Sequence, residues 1–141
     1  MCNKNANKMR KIIFRGKSLC DNEWVYGDLI HKHHDIGAVM IQDSNGVGTD
    51  VDPETVGQFT GINDFNDVDI WEGDLLNVVI HYGQEVQYLA QVVWSGFFPS
   101  FAMLLQNGTE ELDWLKCGLM EYKVIGNIHD NPEMLKMSNA K

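Results

Sequence analysis

The chain has 141 residues, 44% of them apolar and 22% charged, and 20 acidic against 11 basic residues leave a formal net charge of −9. That size fits one domain with its own core, and no run approaches the roughly 20 apolar residues that a membrane-spanning helix needs. Four of the 11 cations fall in the first eleven residues, so the remainder would repel a polyanion, and nucleic-acid binding, which rests on Lys and Arg neutralising phosphates, is disfavoured.

Residues 1–10 are polar and basic, lack the apolar centre of a secretory signal, and read as a flexible tail on a cytoplasmic protein. A single β-rich domain is expected over 11–135. Its first part, 11–52, starts with Lys11–Lys17 and Trp24–Ile30 on either side of the Asp21-Asn22 turn, a hairpin of β-branched and aromatic residues. Gly37–Gln42 is a further strand, closed by the turn Asp43-Ser44-Asn45-Gly46.

Residues 53–74 are dense in turn formers and acids but carry single apolar anchors at Phe59, Ile62, Ile70 and Trp71. They read as a structured connector pinned to the core, with Gly57, Gly61 and Gly73 as turn glycines and with Asp64 and Asp74 bonding the turns. Beyond it, Leu75–Tyr82 places Leu76, Val78, Ile80 and Tyr82 on one face, and Val86, Tyr88, Ala90, Val92 and Trp94 alternate cleanly in the next run, the period of a strand with one buried face. Phe98–Leu105 completes a meander. Thr109–Lys116 carries a cap and early acids suited to one or two helical turns. Glu121–His129 is the last strand, and Asn131-Pro132 opens a short terminal helix. Short strands about 8–12 residues apart point to a mainly β fold, here a small SH3-like or related barrel over 75–130 preceded by the hairpin region, with one or two short helices.

Catalytic signatures are missing. No Gly-x-Ser-x-Gly elbow, phosphate loop or paired cysteine motif occurs, and Cys2, Cys20 and Cys117 are too far apart in sequence to suggest a zinc knuckle or disulfide framework. His31 and His33, on one side of a strand, are weak metal candidates; without a second pair of ligands the plain reading is a solvated link. Asp64 opens an acid-rich run that fails the calcium-loop spacing at Val68, where a third oxygen ligand is needed. Trp94, Phe97-Phe98-Pro99 and Phe101 are expected in the barrel core, with an exposed aromatic patch for a partner as the second reading. No enzyme activity, cofactor or metal is expected.

Four stretches, in order, resemble motifs of the YopX-like family of phage and prophage proteins: Phe14-Arg15-Gly16-Lys17; Thr55 to Asp64, with Gln58, Thr60 and Gly61; Ile70-Trp71-Glu72-Gly73-Asp74-Leu75; and Val124 to Glu133, with Gly126 and Asn127. The family commonly has an aromatic residue where Gly16 stands and an Asn-Gly turn where this chain has Asn66-Asp67. The resemblance implies a phage-derived protein of the bacterial host cytoplasm that forms homo-oligomers, and it brings no catalytic residues and no cofactor. Together with open strand edges and aromatic surface, this gives a non-enzymatic, self-associating protein-interaction module with an unknown protein partner, or alternatively a nucleic-acid-associated accessory protein using Lys4, Lys8, Arg10, Lys11 and Arg15.

Overall fold

The computed structural model describes residues 9–81, 83–114 and 120–138. The expected hairpin is present: β1 (Phe14–Lys17) pairs antiparallel with β2 (Trp24–His31), and Asn22 takes a left-handed conformation in the intervening turn. β3 (Val39–Gln42) adds to β2, and β4 (Gly48–Val51), a short polar run with no clear alternation, adds to β3. Beyond the end of β1, Leu19 donates its amide to the Asp50 carbonyl, Asp52 donates to the Lys17 carbonyl, and Ser18 bridges Val51. The sheet therefore curls back on itself around Val39, Ile41 and Val51, with Phe14, Val25 and Leu29 packed against them.

Residues 53–74 are ordered, and they contribute strands of their own as well as linking the two halves. After a 3-10 turn at Pro53–Thr55, β5 (Gly57–Asn63) pairs with the other edge of β1, and β6 (Asp69–Trp71) pairs with β5, giving a six-stranded antiparallel sheet in the order β4-β3-β2-β1-β5-β6. Phe59, Ile70 and Trp71 are buried as expected. Gly61 lies at the irregular register between Phe59 and Asn63, and Gly73 turns the chain out of β6. Gly57 is no turn residue. It is needed because a side chain there would press on the Glu72 carbonyl across the ladder.

β7 (Asp74–Ile80), β8 (Val86–Trp94) and β9 (Phe101–Leu105) form the expected meander. β10 (Glu110–Glu111) adds to β9 and β11 (Met120–Asn127) to β7, so the second sheet runs β10-β9-β8-β7-β11. This corrects two expectations. Residues 75–130 make an open five-stranded sheet rather than a barrel, because β10 and β11 are its two edges and do not pair. At Thr109–Lys116 the described residues give a two-residue strand, since Glu110 and Glu111 satisfy the edge of β9 opposite Leu104 and Met103, a pairing that outweighs helical propensity.

The main core lies between this sheet and the end of the first: Leu76, Val78, Ala90, Val92, Met103 and Tyr122 pack against Ile70, with Ile62 and Phe65 over them. α1 (Glu133–Ser138) follows Pro132 as expected. No helix among the described residues is long and apolar enough to cross a membrane. Residues 1–8 of the tail, Tyr82 and Cys117 lie outside the described residues.

Candidate functional site

The four motif stretches, far apart in sequence, meet where the two sheets join. Arg15 on β1 and Asp74 at the start of β7 form an ion pair of 2.8 Å, with side chains 7% and 3% exposed. The guanidinium lies 4.4 Å from the Trp24 ring centroid and 5.4 Å from that of Trp71. Its Nε has no hydrogen-bond partner among the described residues, so aromatic faces supply part of the stabilisation that acceptors would otherwise give. The other Asp74 oxygen accepts the Trp71 amide at 2.8 Å and thereby shapes the β6–β7 turn. Burial raises the Asp74 carboxyl above the ordinary carboxylate range, the Arg15 charge opposing it.

Next to this pair, Asp130 accepts from Lys17 Nζ, from Trp24 Nε1 at 2.9 Å and from Asn127 Nδ2 at 3.1 Å. The Lys17 hydrogen bond leads in lowering its pKa to about 2. Asn127 Oδ1 also accepts the amides of His129 and Asp130, fixing the turn after β11. His129 packs edge-on against Trp24, and burial lowers its pKa below the usual imidazole range. Gly126 is a close-approach position, because a Cβ there would collide with the Asn131 side chain.

Asp64 makes a second joint. One oxygen accepts the amides of Asn66 and Val68 and the other accepts Val124 at 2.8 Å, while Phe65 donates to the Tyr122 carbonyl. The turn between β5 and β6 thus covers the free edge of β11. Asp67 takes the left-handed conformation there, which Asp tolerates almost as Asn does, so the Asn66-Asp67 departure keeps the turn. Glu72 accepts the Gln58 amide, and the Thr60 hydroxyl donates to the Ile70 carbonyl at 2.7 Å. These residues hold sheets and turns together; Phe14 serves the smaller core.

The metal candidates are dispersed. His31 ends β2 exposed, His33 is exposed in the following turn, and Asp64 is occupied by backbone amides. Among the described residues no group of three or more His, Cys, Asp or Glu is placed to hold a metal ion.

The aromatic stretch after β8 departs from the core reading. Trp94 is 53%, Phe97 82% and Phe98 58% exposed. The turn that carries them is bonded throughout: Ser95 Oγ accepts the Phe97 and Phe98 amides and donates to Glu110 Oε2 at 2.6 Å, and the Ser95 amide donates to the Ser100 carbonyl. Beside it a cleft of about 400 Å³ runs between β5 and the β8–β9 end, lined by Arg10, Ile62, Trp94, Phe101, Leu112 and Trp114 among others. Sequence reasoning missed the cleft because its walls come from two sheets; the aromatic cluster at 94–101 was the one signal for it.

No curated protein matches the chain. The crystal structure of protein EF1440 from Enterococcus faecalis is similar at 20% identity and a TM-score of 0.50, covering 90% of this chain and 99% of that one, a likeness of fold alone. The family profile described as YopX protein matches residues 13–136, which takes in all four motif stretches, and the chain belongs to the YopX family.

Proposed function

We propose that the chain is a phage- or prophage-derived, non-enzymatic module of the bacterial cytoplasm that acts through protein contacts, associating with itself into a homo-oligomer and presenting surface to a further protein partner. The observation that carries this reading is the exposed aromatic tip of Trp94, Phe97 and Phe98, held on a bonded turn. Large aromatic side chains left in solvent next to a cleft are characteristic of an interface, since burying them is what drives association. The family motifs, by contrast, are engaged with one another in the joints between sheets, and the Ser95–Glu110 hydroxyl–carboxylate contact is taken up in holding the aromatic turn. Strand edges are a poor route to assembly here. β4 is covered by residues 17–19, β11 by the Asp64–Phe65 turn, and β6 and β10 are only three and two residues long. Chromatography with light scattering at tens of micromolar tests the reading: a mass well above 16.0 kDa is expected, and a 16.0 kDa monomer would refute it.

The alternative, a nucleic-acid-associated accessory protein, draws on Arg10 beside Trp94, Phe101 and Trp114, a cation with aromatic faces of the kind that stacks bases. Against it, Arg15 and Lys17 are spent on Asp74 and Asp130. Binding of a single-stranded oligonucleotide at low salt, weakening steeply as salt rises, is its signature; no binding at low salt removes it.

A further inference from the structure

We propose that the β8–β9 tip and the cleft beside it are two halves of one self-association surface, in which Phe97 and Phe98 of one copy seat in the cleft of a second copy of this chain. The inference rests on the homo-oligomer reading and adds the surface that makes it.

Three observations support the pairing. The tip is preorganised: Ser95 Oγ gathers the Phe97 and Phe98 amides and is itself bonded to Glu110, so the rings are presented with little ordering left to do on contact. Neither ring lines the cleft of its own copy, and both stand exposed. The cleft, at about 400 Å³, comfortably exceeds the roughly 150 Å³ that admits a benzene-sized ring.

The area is of the right order. Trp94, Phe97 and Phe98 are 53%, 82% and 58% exposed, which at roughly 200 Å² per aromatic side chain leaves on the order of 400 Å² of aromatic surface in solvent. That is about half of the roughly 800 Å² that each partner buries in a standard interface, and the cleft walls supply further surface.

Charge also matches. Arg10 lines the cleft and has no ion-pair partner among the described residues, whereas the tip is built on the Glu110 carboxylate. Bringing the tip of one copy to the cleft of another sets opposite charges near each other. Because tip and cleft are adjacent on one face, two copies can satisfy both sites at once about a twofold axis.

The test uses the full chain and three proteins: wild type, Phe97→Ser/Phe98→Ser and Arg10→Glu, each sized by light scattering through a dilution series, with urea midpoints to confirm folding. The serine variant, altered only at exposed positions, is expected to keep the wild-type midpoint and to dissociate at concentrations roughly a hundredfold higher than wild type or to remain monomeric throughout. Arg10→Glu is expected to weaken assembly in the same direction by about tenfold or less, with reduced sensitivity to salt. A wild-type oligomer whose dissociation is unchanged in both variants overturns this surface while leaving the oligomer reading intact. A wild-type monomer overturns the reading on which it rests.

Discussion

Replacing Arg15 by Met should be among the costliest single changes in this protein, and the cost should depend on pH. At 2.8 Å and an effective dielectric near 20, two unit charges attract by about 6 kcal/mol. Yet the Asp74 pKa is raised rather than lowered, with burial as the leading cause, so desolvation outweighs the attraction. As a pair, Arg15 and Asp74 therefore add little net stability; each alone is a liability. Arg15→Met at pH 7 leaves a buried carboxylate unpaired, a loss of about 3–5 kcal/mol. Without the guanidinium the folded-state pKa of Asp74 rises further above its unfolded value, so the native variant binds a proton that the unfolded chain does not. Its stability then recovers as pH falls through that raised pKa, and the deficit is smaller at pH 5 than at pH 8. The double variant Arg15→Met/Asp74→Leu removes both charges and should lose only about 1–3 kcal/mol, chiefly because the Trp71 amide loses its acceptor. Urea unfolding followed by tryptophan fluorescence reads all three, since Trp24 and Trp71 flank the site. A loss under about 1 kcal/mol for Arg15→Met with no pH dependence would mean that Asp74 is not left as an uncompensated buried charge.

Three further outcomes follow from the same geometry. Asp64→Ala strips the acceptor from the Asn66, Val68 and Val124 amides and should cost about 2–4 kcal/mol, with faster hydrogen exchange at Val124 than elsewhere in β11; uniform protection along the strand would contradict the edge-covering role. Gly27→Ala forces a Cβ into the Gln42 carbonyl at a φ of 155°, so it should lower stability by at least about 2 kcal/mol in a thermal melt. Asp130, whose pKa falls to about 2 mainly through Lys17, contributes stability that is present above about pH 4 and lost as pH falls toward 2. Asp130→Asn should flatten acid unfolding in that window, by an amount that salt reduces because the group is partly exposed.

The strands legible in the sequence are those whose burial alternates with period two. In β8, Ala90 and Val92 are buried while Gln91 is not, and the run announces itself. The sequence of β5 carries no such alternation of apolar and polar residues, because Gly57, Thr60 and Gly61 are turn formers by composition, and its pairing is with β1, about forty residues away. Such pairing has no local trace, and for the same reason the sequence could not tell an open sheet from a barrel. At residues 109–111 local helical signals pointed one way and an unpaired edge of β9 decided the other. The acids at 64 and 74 were readable as turn builders, but the second half of each role, the reach of Asp64 to Val124 and of Asp74 to Arg15, spans 60 and 59 residues. Family resemblance pointed to the residues that meet there without showing that they meet. The aromatic tip was visible as composition, and its exposure was not, because a Trp-Phe-Phe cluster is the usual content of a core.

The most direct test of the account is the native mass of the wild-type chain measured by light scattering from one to fifty micromolar. Self-association through the aromatic tip predicts a mass that rises with concentration to at least twice 16.0 kDa. A constant 16.0 kDa across that range would contradict it.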